Sequence, residues 1–132
     1  MNDIQVKIMV VEDDIIISED IQRSVDSLGY EVVGAFTTGE EALNSIAQNQ
    51  PDIVLMDIVL RGQLNGIDTA KILFEKHNIP VVFLTAYSDP ITLERANAAH
   101  HYGYICKPFN RTELKEIIHS ALDRFWEDQE KH

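Results

Sequence analysis

Asp52-Ile53-Val54-Leu55-Met56-Asp57 decides the fold. Four consecutive apolar residues without polar alternation read as a strand covered on both faces, the habit of a central strand in a parallel sheet. The run stops at a carboxylate. In open α/β sheets ligands sit beyond the carboxyl ends of the strands, which places Asp57 at the mouth of the sheet rather than in its core. A strand-end Asp that only caps a loop is the plain alternative.

Three other apolar runs also stop at chemically useful residues. Val6 to Val11 is near-continuous and ends at Glu12-Asp13-Asp14. Like charges so close repel, so a fold gathers them when a bound cation compensates or when they cap the next helix. Capping accounts for one acid, hardly for three. Pro80-Val81-Val82-Phe83-Leu84 ends at Thr85-Ala86, and Tyr102-Gly103-Tyr104-Ile105-Cys106 ends at Lys107-Pro108. Glu31 to Phe36 is a further short strand.

Helical patterns fill the gaps. Ile17, Ile21, Val25 and Leu28 recur at helical spacing and Gly29 ends that helix. Thr38 with Glu41 is a capping box for a helix whose buried stripe is Ala42, Leu43, Ile46 and Ala47, and Pro51 separates it from the central strand. The stretch Ile58 to Gly66, with two glycines and an Asn-Gly turn signal, leads into a helix carrying Ile67, Ala70, Leu73 and Phe74. Asp89-Pro90 starts a helix that runs to about Ala99. Asn110 with Glu113 opens the last helix, whose apolar face is Leu114, Ile117, Ile118, Ala121, Leu122 and Phe125.

Strand and helix therefore alternate five times. This predicts a flavodoxin-like, doubly wound five-stranded parallel sheet of order 2-1-3-4-5 with helices on both faces. The first and third strands, which carry the acids, are then neighbours at the topological switch point.

A chain of 132 residues, 45% hydrophobic and 25% charged, is about one domain's worth. Residues 1–126 are read as that domain and 127–132 as a polar, frayed tail. Eleven basic against 22 acidic residues leave a net charge of −11, which argues against gripping nucleic acid or an anionic membrane directly and welcomes a divalent cation. One cysteine, Cys106, forms no internal disulfide, and neither a signal peptide nor an 18-residue apolar run is present, so a cytoplasmic location is expected.

The chemistry follows from what converges: carboxylates from Glu12, Asp13 and Asp57, a hydroxyl from Thr85 and an ammonium from Lys107. Carboxylates with open space suit Mg²⁺, which prefers oxygen ligands and keeps waters for a phosphate to replace. A carboxylate beside such a cation is a competent nucleophile toward phosphorus, giving an aspartyl-phosphate. Carboxylates are ionised at neutral pH, so the site requires no general base.

Val10-Val11-Glu12-Asp13-Asp14, Leu55-Met56-Asp57, Leu84-Thr85-Ala86 and Tyr104-Ile105-Cys106-Lys107-Pro108-Phe109, in this order and at these spacings, resemble the receiver domain of two-component response regulators. The resemblance covers essentially the whole chain. It implies that Asp57 accepts a phosphoryl group from a sensor histidine kinase or phosphotransfer protein. It implies that Glu12, Asp13, Asp57 and the Val59 carbonyl hold Mg²⁺, that Thr85 and Tyr104 report phosphorylation, and that Lys107-Pro108 is a cis peptide. The loop from Asp57 to Gly66 is one residue longer than the commonest form, and Arg61 stands where a proline is frequent.

Two function classes follow: a phosphorylation-gated signalling module whose last helices face a partner or a second copy of the chain, and an enzyme of the haloacid-dehalogenase phosphatase type. The phosphatase needs an acid two residues after its nucleophile; here that residue is Val59. A phosphorylation-independent scaffold is a lesser third reading. His77, His119 and the pair His100-His101 read as solvated helix positions, and Cys106 as a small core residue. Trp126 reads as partial core or as an interface residue.

Overall fold

The computed structural model describes residues 5–58, 60, 64–85, 94 and 102–130. The helix expected from Asp89 to Ala99 lies, but for Glu94, outside them, as do Val59, Arg61, Tyr87 and His100-His101. The elements are β1 (Lys7–Val11), α1 (Ile15–Ser27), β2 (Glu31–Phe36), α2 (Gly39–Ser45), β3 (Ile53–Asp57), α3 (Gly66–His77), β4 (Val81–Thr85), β5 (Gly103–Cys106) and α4 (Arg111–Glu130). All four strand pairings are parallel, and the sheet order is β2-β1-β3-β4-β5.

Alternation along each strand divides the core in two. Met9, Val11, Val54, Met56, Val81 and Phe83 pack with Ala42, Ile46, Ile67, Ala70 and Leu73 under α2 and α3. Ile8, Val10, Ile53, Leu55, Val82 and Leu84 pack with Ile21, Val25, Leu114, Ile118 and Leu122 under α1 and α4. The central strand is thus covered on both faces, as its unbroken apolar run requires. Truncating Leu55 to Ala should cost about 2–5 kcal/mol.

The helix ends follow their local chemistry. Asp14 Oδ1 accepts the N–H groups of Ile16 and Ile17, and Leu28 with the positive-φ Gly29 ends α1. At α4 the box is reciprocal: Glu113 N–H donates to Asn110 Oδ1 and Asn110 N–H to Glu113 Oε1.

Three expectations need correction. Residues 127–130 are no tail: α4 continues through them, held by Tyr102 O–H donating to Asp128 Oδ2 (2.8 Å) and by Asn78 Nδ2 donating to Gln129 Oε1 (2.7 Å). Ala47 is exposed: α2 ends at Ser45, its cap residue Ile46 is the last of the stripe to enter the core, and Ala47 falls in the turn beyond. Cys106 is exposed because in β5 it is Gly103 and Ile105 that point inward, leaving Tyr104 and Cys106 on the other side. Trp126 is half exposed.

Candidate functional site

β1 and β3 pair directly, while the chain leaves β1 for β2 on one side and β3 for β4 on the other. The crevice between their carboxyl ends is the switch point where such sheets bind ligands. Glu12 follows β1 and Asp57 closes β3, so both stand at this crevice.

The three consecutive acids divide their work. Asp14 is turned into α1 as its N-cap. Glu12, Asp13 and Asp57 each offer a carboxylate oxygen, all within 4.8 Å of one another. Glu12 is almost wholly buried, its N–H bonded to Phe36 O (3.0 Å) and its Oε2 accepting Asp14 N–H (3.1 Å).

Lys107 reaches the same crevice from β5. Its N–H donates to Thr85 O (2.7 Å), and its peptide bond to Pro108 is cis. Its Nζ lies 2.6 Å from Glu12 Oε1 and 3.3 Å from Asp57 Oδ2. Burial pulls the Lys107 pKa down, but the hydrogen bond to Glu12 and the charges of Asp57 and Glu12 outweigh it, and the net shift is upward. The ammonium is therefore firmly protonated. Three carboxylates against one ammonium leave a deficit of two positive charges among all-oxygen donors, which fits one hard divalent cation such as Mg²⁺.

Thr85 is buried as the last residue of β4, opposite Cys106 and one residue beyond Leu84, which pairs with Asp57. Tyr104 lies on β5 opposite Phe83 and is 42% exposed. The structure thus brings Glu12, Asp13, Asp57 and Lys107 together, sets Thr85 at the neighbouring strand end and leaves Tyr104 on an open side. Val59 falls outside the described residues.

Asn65-Gly66 is not a turn. Asn65 caps α3, its Oδ1 accepting Asp68 N–H (2.8 Å). A Cβ on Gly66 would sit 2.1 Å from the Asp57 carbonyl oxygen and 2.9 Å from Ile58 Cα. Only a glycine lets α3 press directly on the backbone that carries Asp57. Glu40 Oε2 accepts Leu64 N–H (3.0 Å), tying α2 to the approach of α3. Neither role has a signal in residue spacing, since both depend on how closely two elements meet in space.

The model of the response regulator receiver domain matches residues 8–119. The chain belongs to this family. The transcriptional regulatory protein PdtaR of Mycobacterium tuberculosis is 35% identical over 121 residues, which cover 92% of this chain and 58% of that protein. The uncharacterized transcriptional regulatory protein YcbL of Bacillus subtilis is 38% identical over 116 residues, 88% of this chain and 50% of that one. The receiver therefore spans about half the length of the curated relatives it matches.

Among solved structures, the signal receiver domain of a modulated diguanylate cyclase from Desulfovibrio desulfuricans superposes with a TM-score of 0.88 at 34% identity, covering 94% of this chain and 98% of that one. A CheY-like receiver domain protein from Methanospirillum hungatei gives 0.83 at 26%, with the same coverage. The protein is a signalling module of two-component systems, in which receiver domains take phosphoryl groups from kinases. The haloacid-dehalogenase alternative finds no support. Among the described residues, no helix is long and apolar enough to cross a membrane.

Proposed function

We propose that Asp57 is the phosphoacceptor of this receiver, with a sensor histidine kinase or phosphotransfer protein as donor. The observation that carries the reading is the Lys107 ammonium placed between Glu12 and Asp57 beside three gathered carboxylates. An Asp57 carboxylate oxygen forms the new O–P bond as the N–P bond of a phosphohistidine breaks, and the departing imidazole nitrogen keeps the electron pair and takes up a proton. Lys107 draws the phosphoryl oxygens toward β5, and Glu12 holds Lys107 in place.

Glu12, Asp13, Asp57 and the Val59 carbonyl would hold Mg²⁺. That ion supplies neutralisation of charge on the phosphoryl oxygens. Thr85 and Tyr104 convert phosphorylation into a change of the partner-binding face, and the last helices offer a surface for a homodimer or an output partner. The net charge of −11 supports a domain that makes no direct contact with nucleic acid or membrane and works in the cytoplasm. Self-dephosphorylation is slow, since Val59 and Tyr87, the residues two after Asp57 and two after Thr85, carry no group suited to orient an attacking water. Incubation with acetyl phosphate and Mg²⁺, followed by intact mass, tests the acceptor; a protein that gains no phosphoryl mass contradicts the reading.

A further inference from the structure

The last turn of α4 should not be helical on its own merits. Glu127, Asp128 and Glu130 put three carboxylates at the negative end of the helix macrodipole, and no basic residue stands in that turn. Carbonyl groups of a last turn also lack intrahelical partners. Beyond Phe125 no apolar residue of α4 is buried. What reaches the turn from outside α4 is Tyr102, next to β5, and Asn78, at the end of α3.

Tyr102 reaches the turn directly at Asp128. Its hydroxyl donates to Asp128 Oδ2 (2.8 Å), its ring meets Phe125 edge-on at 5.5 Å and Phe74 at 5.9 Å, and the Arg124 guanidinium lies 5.6 Å from its centroid. The Asn78 amide adds the bond to Gln129. Tyr102 immediately precedes β5, and its N–H is bonded to Val81 O (2.9 Å). Lys107 lies five residues further on, roughly 16 Å away on a strand rise of ~3.3 Å per residue. Gly103, between them, lies close under α4: a Cβ there would sit 2.8 Å from Cδ1, the tip of the Ile117 side chain.

We propose that Tyr102, with Arg124 and Asp128, is a latch through which the position of β5 decides whether the last turn of α4 is folded. One short strand then carries Lys107 at one end and the anchor of the helix terminus at the other. A β5 displaced when Lys107 follows a phosphoryl group on Asp57 shifts the tyrosyl hydroxyl against Asp128, and the last turn has two arrangements to answer with, docked or frayed. The latch stands on geometry alone; its use as a readout rests on the proposed role of Asp57 and Lys107.

The test is NMR on the full chain. In the wild type, ¹³Cα shifts of residues 127–130 should be helical, and Tyr102→Phe, which keeps the ring and removes the donor, should collapse them toward coil. Amide exchange of these residues should rise by about tenfold, the scale of a hydrogen bond to a charged acceptor, while residues 114–122 stay unchanged. Coil shifts in the wild type, or helical shifts retained in Tyr102→Phe, would overturn the latch. Adding acetyl phosphate and Mg²⁺ to the wild type, with phosphorylation checked by intact mass, should alter the same four residues. A phosphorylated protein whose residues 127–130 do not respond overturns the coupling. A protein that gains no phosphoryl mass contradicts the Asp57 assignment and with it the readout, while the Tyr102→Phe comparison still decides the latch.

Discussion

The Lys107 ammonium stands 2.6 Å from the almost fully buried Glu12 carboxylate, closer than its 3.3 Å to Asp57. Glu12 is thus the anchor of the lysine and Asp57 its second partner. Lys107→Ala leaves a buried carboxylate uncompensated and should destabilise the apo fold by about 3 kcal/mol. It should still bind Mg²⁺, which restores part of that loss, yet show no structural response to phosphodonor. Urea melts with and without Mg²⁺, and amide spectra with and without acetyl phosphate, read both; a wild-type-like spectral response in the variant would remove Lys107 from the switch.

Gly66 predicts a second outcome. Gly66→Ala places a methyl 2.1 Å from the Asp57 carbonyl oxygen, so α3 must retreat from β3. Overpacking of this kind costs about 1–3 kcal/mol and displaces the backbone under Asp57. Phosphorylation by acetyl phosphate should slow along with the loss of stability. An unchanged rate and unchanged melting would show that α3 yields without moving Asp57.

The sheet was legible because its inner strands are nearly continuous apolar runs, and runs such as Ile53 to Met56 admit few other readings. The gathering of Glu12, Asp13, Asp57 and Lys107 was legible for the same reason, since strand ends in a parallel sheet share one edge. What stayed hidden depends on how elements pack against one another. Asp128 and Gln129 look like solvated tail residues until Tyr102 and Asn78 are placed beside them, and Asn65-Gly66 looks like a turn until α3 is seen against Asp57.

Alkaline pH supplies a third prediction. Burial, then the hydrogen bond and charge of Asp128, push the Tyr102 hydroxyl up to about 12, against the partial offset of Arg124. The raised value means that the folded state keeps a proton the unfolded state releases, so this contribution is intact below pH 10 and is lost as pH rises toward 12. The raised Lys107 pKa acts in the same direction at high pH. Comparing wild type with Tyr102→Phe isolates the tyrosine: the variant should lose less stability between pH 10 and 12. Parallel curves for the two proteins would contradict the assignment.

Phosphate lifetime gives a fourth. Water must attack the aspartyl-phosphate in line, and in the proposed function the rate is assigned to Val59 and Tyr87, the residues two after Asp57 and two after Thr85 in the sequence. Val59→Asn combined with Tyr87→Glu supplies groups that orient a water and should shorten the half-life by about tenfold or more. Decay is followed with donor removed and Mg²⁺ present. An unchanged half-life would refute slow turnover set by these two positions.

In the proposed reaction Asp57 alone receives the phosphoryl group, and a divalent cation is required. Intact mass after incubation with acetyl phosphate measures this most directly. Expected are one added phosphoryl group on the wild type with Mg²⁺, none with chelator, and none on Asp57→Ala under either condition. A phosphoryl group gained by Asp57→Ala, or by the wild type without a divalent cation, would contradict the proposed reaction.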